Sequence, residues 1–499
     1  MDASANGQRA MLALLLVTTA AVAGIATVFS GNLFGERAAY YVAIFGVIGA
    51  ATLLAATRKE PLRFVFLVLF AALPITSIFV PPGRLGLTVF DVIMLFLTIA
   101  FVGRRLASSA ENRQPLFPTR SLLIAWVLCV PCVVLSQFPV VSVTNFVLMF
   151  MTYAFFLLCL AELRRERGFE RLVVLLCGMA IVTAVGVLID YVWHVNLSLR
   201  GSNENQFTYE DGLEIYRAGG FFQDPQRCGA FFAVVTAFLL VLVVRGRFAG
   251  ARVGAIVWLA IAAGLAALLM TVSRSAILSC LLVSALALFA FNAWSWPVKT
   301  AIAAIVVIAA TLVAQTSFDA WVGLLPDMLQ TRIRGLPEAL EGRLMVWFDT
   351  WDMFEKHPVT GIGFGSFQSY LVHTRPGVTN YYGIGEATGV DYIPDQPENG
   401  YLKILYEGGL FGSMAALLLV GDALRRTLKG AVSSSADART ECIAALAGLL
   451  SFGVTFVTLF TVGDPRLGAL LAFLLAVIWK RSLERTTDRT DQGLGLRRK

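Results

Sequence analysis

Long apolar runs recur along the chain from residue 11 to residue 479, and they constrain the fold more than any other feature. A run of about 20 apolar residues is long enough to cross a bilayer as one helix. Of the 499 residues, 57% are hydrophobic and only 15% are charged, against about 25% charged in ordinary soluble proteins. The pattern therefore predicts an all-α polytopic integral membrane protein. It excludes a soluble globular enzyme, a disordered chain and a fibrous protein.

The apolar runs predict 12–14 transmembrane helices. The run from Met11 to Phe29 is longer than the apolar region of a signal peptide, about 7–15 residues, so it is predicted to be an uncleaved first span. The runs on either side of Pro81 and Pro82 are either two spans or a broken or re-entrant segment. The candidate spans are roughly 11–29, 40–56, 64–80, 88–102, 121–136, 143–161, 171–191, 228–245, 253–270, 275–293, 299–314, 401–420, 443–462 and 466–480.

The positions of the 40 Lys and Arg residues predict the orientation of the chain. If the N-terminus is cytoplasmic, most of them fall in cytoplasmic segments and every such segment has at least one, as the positive-inside rule requires. Both termini are therefore predicted to be cytoplasmic. The net charge of +7 has the same cause, and no clustered basic domain indicates a nucleic-acid partner.

The predicted spans divide the chain into four parts. Residues 1–314 form an N-terminal transmembrane region of about eleven helices, and residues 315–400 form a large outer loop. Residues 401–480 form about three C-terminal transmembrane helices, and residues 481–499 form a cytoplasmic tail. A loop of this length inside a compact protein is usually functional, so part of the active site is expected there.

Two motifs organise the large outer loop. The stretch EGRLMVWFDTWDMFEKHP has apolar residues at helical spacing and predicts an amphipathic helix that ends at Pro358. These apolar residues are Leu344, Trp347, Phe348, Trp351 and Phe354. The GIGFGSF that follows comes after a helix and a proline rather than after a strand, so it is not a dinucleotide-binding fingerprint. It is predicted to be a flexible turn that lets the loop fold back.

Three arginines on the predicted outer side are candidates for binding an anion, because a guanidinium is always charged and binds phosphate through two hydrogen bonds. Arg274 lies in TVSRSAILS, between two apolar helices, where it either faces an anion or snorkels and caps a helix end. Arg217 precedes Gly219 and Gly220 just before a helix begins, and it is either functional or an ordinary loop residue. Arg343 opens the amphipathic helix, either as a functional group or as a surface charge.

Glu398 and Asn399 lie in QPENGYLKILYEGGLFG, where the outer loop meets the next span. A carboxylate at this position is either a cap favoured by the helix dipole or a general base that accepts a proton from a hydroxyl nucleophile. Asn399 favours the turn and helix start, and it is also a candidate substrate contact. Tyr401 either stacks on a sugar ring or belongs to the aromatic residues common at membrane interfaces.

No metal or cofactor site is predicted. His194, His357 and His373 are too scattered to form a ligand set, and the seven cysteines have no zinc-binding spacing. Most of the predicted spans also lack charged residues. This disfavours an ion-coupled transporter, because such a protein needs ionisable groups near the membrane midplane.

Four segments in the order of the chain resemble the O-antigen ligase and Wzy-type polysaccharide polymerase superfamily. They are RAGGFFQDPQRCGAFFA, SRSAIL, GRLMVWFDTWDMFEKHPVTGIGFGSF and ENGYLKILYEGGLFG, and they cover roughly residues 217–412. Each motif alone is loose. Four motifs in this order, with the large outer loop between the last two, are specific.

The resemblance implies a metal-independent glycosyltransferase of the bacterial inner membrane, with its active site on the periplasmic face and no cofactor. Its donor would be a glycan on undecaprenyl diphosphate, and the reaction would invert the anomeric centre. Arg274 matches the family's Arg-x-x-x-Leu motif, with Leu278 as the leucine, and Arg343 resembles the family arginine at the start of the loop helix. Both would bind the donor diphosphate, with Arg217 as a further contact, and Glu398 would assist deprotonation of the acceptor.

The ligase branch of the superfamily has a histidine, then Asn, Ser or Gln, then nine residues and Gly-x-x-Gly. Asn399, Gly409 and Gly412 fit that spacing, whereas Glu398 stands at the histidine position. Polymerases of the superfamily vary more at this site, so Glu398 favours a polymerase that joins lipid-linked repeat units of an exopolysaccharide, capsule or O-antigen. Gln226 stands where the family usually has Asn.

Two alternative functions stay open. A related ligase would transfer a finished glycan to lipid A–core or to a protein. A polytopic transporter or flippase would show polar groups deep in the bundle and internal pseudo-symmetry, and the sequence shows neither. The predicted partners are the undecaprenyl-diphosphate-linked donor, a glycan acceptor and membrane lipids, together with other components of polysaccharide export.

Overall fold

The computed structural model describes residues 60–76, 88–107, 117–194, 197, 207–210, 213–222, 224–248, 251–291, 336–374, 398–431, 435–460 and 463–493. Helices dominate this part of the chain, and they confirm the predicted all-α polytopic architecture. The helices are α1 (Pro61–Ala71), α2 (Leu73–Thr76), α3 (Val89–Ala107), α4 (Arg120–Val134), α5 (Pro139–Leu163), α6 (Gly168–Trp193), α7 (Pro225–Val244), α8 (Ala251–Met270), α9 (Arg274–Phe291), α10 (Leu336–Lys356), α11 (Phe367–Thr374), α12 (Gly400–Ala431), α13 (Ala436–Phe456) and α14 (Pro465–Gly493).

Six helices in the described ranges are long and apolar enough to cross a membrane: α5, α6, α7, α8, α12 and α13. Shorter apolar helices lie in α1, α3, α4 and α9. The predicted spans at 11–29, 40–56 and 299–314 lie outside the described residues, so the total of 12–14 spans stays a prediction. α14 continues to Gly493, beyond the span predicted to end at residue 480.

Local sequence signals explain where several helices begin. Asp224 precedes α7, and its carboxylate accepts a hydrogen bond from the Gln226 backbone N–H at 2.8 Å. Proline follows at the first helical position, where its missing N–H has no intrahelical partner to lose. Ser435 caps α13 in the same way, accepting from the Ala438 N–H at 3.4 Å.

The bundle is organised around α7, which is buried along most of its length. It packs against α8, α9 and α13, and its Phe231, Phe232 and Phe238 are among the largest fully buried side chains in the described residues. On the other side of the bundle α5 packs against α14, and α4 against α12. Lipid is as apolar as these side chains, so close van der Waals packing, rather than exclusion from water, holds such helices together.

A short β-hairpin departs from the all-α prediction. β1 (Phe207–Glu210) and β2 (Leu213–Tyr216) pair antiparallel between α6 and α7, with Phe207 opposite Tyr216. The hairpin ends directly before Arg217. It therefore sets where the arginine-bearing loop enters the bundle.

The amphipathic loop helix is present as α10, but the expectation that Arg343 opens it was wrong. It begins at Leu336, so Arg343 lies two turns inside the helix instead of opening it. The predicted apolar face is also largely uncovered by the rest of the described protein: Phe348 is 69% exposed and Trp351 46%. The buried face carries Thr350 and Met353. Periodicity shows which residues share a helix face. It does not show whether that face packs against protein or contacts lipid, and beside a membrane both environments are apolar.

The predicted flexible turn GIGFGSF is instead fixed to the first half of α12. The helical backbone of α12 is interrupted at Gly409, whose φ is 57° and ψ −153°. Four backbone hydrogen bonds join the outer loop to this interruption: Ile362 N to Tyr406 O at 3.0 Å, Gly363 N to Glu407 O at 2.9 Å, Leu410 N to Pro358 O at 2.8 Å and Phe411 N to Val359 O at 3.2 Å. We call residues 358–363 and 406–411 the glycine junction.

The junction has a simple physical cause. A kink frees carbonyl and N–H groups of α12, and within a membrane such groups need partners inside the protein. The loop backbone supplies them. A Cβ on Gly409 would lie 2.5 Å from both Gly361 N and Val359 O, too close for any other residue, whereas a Cβ on Gly412 would make only ordinary contacts at 3.7 Å or more.

Buried ionisable groups also modify the prediction that most spans lack charge. Lys403 and Glu407 form an ion pair of 2.9 Å inside α12, with side chains 9% and 5% exposed. Asp422 is buried near the other end of α12 and pairs with Arg425 and Arg426. In both places the partner lies three or four residues away on the same helix face.

Candidate functional site

The structure brings Glu398 and Arg343 together. Arg343 Nε lies 3.0 Å from Glu398 Oε2, and the two side chains are 27% and 43% exposed. Glu398 has a φ of 48°, a conformation that non-glycine residues rarely adopt and that is frequent at functional sites. The pair therefore joins the loop helix α10 to the start of α12 at a partly open, strained position.

Asn399 caps α12. Its Oδ1 accepts hydrogen bonds from the backbone N–H groups of Tyr401 at 3.0 Å and Leu402 at 3.1 Å. The alternative role of Glu398 as a helix cap is thus taken by its neighbour. The carboxylate of Glu398 contacts Arg343 instead, at the positive end of the α12 dipole.

Gln226 is a site residue that the sequence reasoning left without a role. Arg343 Nη2 donates to Gln226 Oε1 at 3.4 Å, and Gln226 lies in the first turn of α7. The guanidinium of Arg343 therefore spans from the start of α12 to the start of α7. The sequence signal was present, since Gln226 directly follows the Asp224–Pro225 helix start.

Arg217 and Arg274 are attached to the same backbone turn. Arg217 Nε donates to the Thr271 carbonyl at 3.4 Å, and Ala218 N donates to the Met270 carbonyl at 3.2 Å. Arg274 is the first residue of α9, three positions after Thr271. The loop that carries Arg217 is thus held against the turn that leads into Arg274.

The first turn of α7 connects the two halves of the site. Gly229, three residues after Gln226, is so close to the turn before α9 that a Cβ on it would lie 2.8 Å from the Ser273 Cβ and 3.0 Å from the Ala276 Cβ. The N-termini of α7, α9 and α12 therefore converge. A helix N-terminus carries partial positive charge and unpaired N–H groups, which favour anions.

We call Arg217, Arg274, Arg343 and Glu398, at these converging N-termini, the cationic site. Arg343 contacts the Glu398 carboxylate, Arg274 begins α9, and Arg217 lies in the loop held against the turn before α9. The charge and the bidentate geometry of arginine suit a diphosphate, and the carboxylate is the one group of the four that can accept a proton.

A buried aspartate, Asp190, fixes the loop that carries Arg217. Its Oδ2 accepts hydrogen bonds from Gly219 N at 2.8 Å and Gly220 N at 2.7 Å, and its Oδ1 accepts one from the Tyr216 hydroxyl. Burial and the Asp190 hydrogen bond raise the pKa of Tyr216 well above its ordinary value, so the hydroxyl keeps its proton as the donor. Asp190 lies near the end of α6, and the sequence analysis assigned it no role.

Tyr401 is tied to α13 instead of to Glu398. Its hydroxyl donates to the Gly453 carbonyl at 2.9 Å, and its ring meets the Phe456 ring edge-on with centroids 5.1 Å apart. The residue is still 52% exposed, so one surface of the ring is open. A role in stacking on a sugar stays a prediction.

Potential metal ligands do not cluster in the described ranges. No group of three or more His, Cys, Asp or Glu side chains there is arranged to hold a metal ion. The described cysteines are buried thiols, and Cys132 donates to the Gly408 carbonyl beside the glycine junction.

These features define a polytopic α-helical membrane protein with a cationic site built on converging helix N-termini. Residues 259–417, about a third of the chain, match the family model of O-antigen ligase, and this match supports the resemblance to the O-antigen ligase and Wzy superfamily. The matched segment runs from α8 into α12 and contains Arg274, Arg343 and Glu398. A comparison with curated proteins finds no match. The family supports a glycosyltransferase-like enzyme of ligase or polymerase type that acts on a lipid-linked glycan and an acceptor.

Proposed function

We propose that the protein is a polymerase that joins undecaprenyl-diphosphate-linked oligosaccharide repeat units into a surface polysaccharide. The observation that carries the proposal is the ion pair between Glu398 and Arg343 at 3.0 Å, together with Arg274 at the start of α9 and Arg217 in the loop attached to the turn before it. A carboxylate beside an arginine supports this proposal, because it would pair a proton acceptor with a group that can bind a diphosphate. The family match supports the class of reaction.

The arginines bind the donor diphosphate in this proposal. Arg274 and Arg343 hold its oxygens, and Arg217 adds charge from the loop fixed by Asp190. Negative charge grows on the diphosphate as it leaves, and donors already in place stabilise that charge without reorganising. In this way the guanidinium groups perform without a metal ion the task that a metal performs in other transferases.

The chemical step is a displacement at the anomeric carbon of the donor. An acceptor sugar hydroxyl attacks that carbon, a new C–O bond forms, and the bond to the diphosphate oxygen breaks with inversion. The electron pair of the broken bond leaves with undecaprenyl diphosphate. Glu398 takes the hydroxyl proton, and because the diphosphate is a good leaving group a weak base is sufficient.

The ligase is the second candidate, and a specific observation favours it. The family model is described as O-antigen ligase, and Asn399, Gly409 and Gly412 keep the spacing of the ligase branch. Glu398 in place of the ligase histidine favours the polymerase. A ligase would use the same diphosphate site and differ in its acceptor.

The topology belongs to the same proposal. The cationic site faces the periplasm at the outer surface of the bacterial inner membrane, and both termini are cytoplasmic. Residues 1–314 and 401–480 hold the transmembrane regions, residues 315–400 form the periplasmic loop, and the chain ends in the tail 481–499. A transporter or flippase is disfavoured because the sequence shows no internal pseudo-symmetry.

The test is genetic complementation of a deletion strain with Glu398→Gln and Arg274→Ala. Glu355→Gln, an exposed carboxylate of α10, and Arg425→Ala, whose side chain is 63% exposed, serve as matched controls. Membrane levels of each variant are measured first. The surface glycan and the lipid-linked intermediates are then profiled.

A polymerase loses polymer in both site variants, and single repeat units accumulate on the lipid while the controls resemble wild type. Accumulation of full-length chains on the lipid carrier would establish the ligase instead. Normal polymer from both site variants at normal protein levels would refute the assignment of the site.

A further inference from the structure

A cavity of about 210 Å³ lies beside α12, with Lys403 and Glu407 in its lining. It is enclosed by α3, α5 and α12 together with Phe364, Phe460 and the start of α14. Its polar lining consists of Thr88, Asp91, Asn145, Thr152, Lys403 and Glu407. Nothing in the proposed transfer step uses these side chains.

The charged pair in the wall of the cavity is unusual for a transmembrane helix. Lys403 Nζ and Glu407 Oε1 are 2.9 Å apart, and the ammonium also lies 4.8 Å from the centre of the Phe460 ring. Burying two charges carries a desolvation penalty that their attraction alone often fails to offset. Such pairs in membrane segments usually mark a site for a polar substrate.

The remaining polar groups offer both donors and acceptors. Thr88 donates twice to Asp91 Oδ2, from its backbone N–H at 2.8 Å and from its hydroxyl at 2.7 Å. Asn145 donates from its amide nitrogen to the Val141 carbonyl at 2.9 Å. A carboxylate has about four acceptor positions, and an amide has two N–H groups and an oxygen, so both keep capacity for a ligand.

The cavity suits a single ring. Its volume is below the roughly 300–1,000 Å³ of pockets for drug-sized ligands. Phe364, Phe460 and Leu148 supply apolar surface to the lining of the cavity. Carboxylate, amide and hydroxyl groups supply the polar part of the same lining. The opposite charges of Lys403 and Glu407 offset each other, and the third ionisable residue, Asp91, is acidic. The lining therefore has no net positive charge and disfavours an anion.

The position of the cavity connects it with the cationic site. Lys403 and Glu407 lie four and eight residues after Asn399, which places them about 6 Å and about 12 Å along α12 from its cap. We propose that this cavity binds one neutral hexose ring of the glycan acceptor, a sugar unit or two from the hydroxyl that Glu398 deprotonates. The statement that the sugar belongs to the glycan acceptor rests on the proposed function, whereas the binding of a sugar ring in the cavity does not.

The test measures sugar binding by the purified full-length protein in nanodiscs. Saturation-transfer difference NMR is recorded with millimolar methyl glucoside, methyl galactoside and methyl N-acetylglucosaminide, and with methyl glucuronide as the anionic probe. Thr152→Phe fills the cavity. Thr144→Phe is the matched control, because Thr144 also lies on α5 and bonds to the carbonyl four residues back, but faces outward.

Wild type is expected to bind at least one neutral glycoside and to bind the glucuronide more weakly. Thr152→Phe weakens that binding at least about fivefold, since the ring loses its space and its hydrogen bonds, and Thr144→Phe leaves it unchanged. Asn145→Leu keeps the number and branching of the side-chain heavy atoms, removes the amide and lowers binding in the same direction. If Thr152→Phe does not fold, the binding measured for Asn145→Leu decides whether the cavity binds the sugar.

Three results would overturn the inference: no neutral glycoside binds to wild type, the glucuronide binds as well as the neutral probes, or both cavity variants bind like wild type. The assay needs no glycan transfer, so its outcome is separate from that of the proposed function. Sugar binding that persists while Glu398→Gln has normal polymer would leave the cavity standing and remove the transfer mechanism.

Discussion

The cationic site and the glycine junction both involve α12, and they are built in opposite ways. At the cationic site, charged side chains from separate helices meet at a partly exposed surface, with Arg343 and Glu398 3.0 Å apart. At the junction, backbone groups bond to each other and the absence of a side chain at Gly409 is what permits the contact. Changes of charge at the first region should therefore alter activity, and a single added methyl at the second should alter stability.

The largest effect on stability is expected from Gly409→Ala. The added Cβ would lie 2.5 Å from Gly361 N and Val359 O, and Gly409 has a backbone conformation that favours glycine. The α12 backbone must therefore shift and lose hydrogen bonds to the loop. We expect a loss of about 3 kcal/mol or more and low membrane levels. Gly412→Ala is the control, because its Cβ makes only ordinary contacts. Thermal unfolding in detergent compares the two, and equal midpoints would contradict the junction.

Asp190→Asn tests the support beneath the cationic site. The carboxylate accepts from Gly219 N, Gly220 N and Tyr216, and an amide cannot reproduce three acceptor contacts without turning a donor toward one of them. The expected loss is about 2 kcal/mol together with reduced transfer. Tyr216→Phe removes one donor only and should lose about 1 kcal/mol. Unfolding midpoints that rank the two variants in the reverse order would disprove the role given to Asp190.

The smallest effect belongs to Gln226→Ala. Its contact with Arg343 is long, 3.4 Å, so folding stability should change by about 0.5 kcal/mol or less. Transfer should still fall a few-fold, because Arg343 loses one of the two groups that orient it. Gln226→Asn has the residue usual in the family and is expected to retain most activity. An unchanged transfer rate in Gln226→Ala would show that Gln226 has no part in the site.

Sequence reasoning predicted the parts of the fold that depend on local signals. Apolar runs coincide with helices in the described residues, and six of these helices are long and apolar enough to cross a membrane. It also selected Arg343 and Glu398, which lie 55 positions apart and meet in the structure. Their residue types and their positions in two motifs of the outer loop were sufficient to select them.

The features that sequence reasoning missed depend on contacts between distant backbones or on a choice of face. The hydrogen bonds of the glycine junction involve main-chain atoms, and glycines in GIGFGSF are equally typical of a flexible turn. The periodicity of α10 identifies its apolar residues without showing that Phe348 is exposed and Met353 buried. Asp190 is one acidic residue at a helix end, and only the folded loop shows what it holds.

The most direct test of the account is the transfer rate of purified Glu398→Gln. Wild type, Glu398→Gln and the control Glu355→Gln are assayed with lipid-linked glycan extracted from membranes, and thermal unfolding is recorded for all three. The account predicts that Glu398→Gln loses at least about 100-fold in kcat, as expected for a missing general base, with an unchanged unfolding midpoint and a normal control. A loss smaller than about threefold at normal stability would contradict it, because a positioned base is worth far more than that.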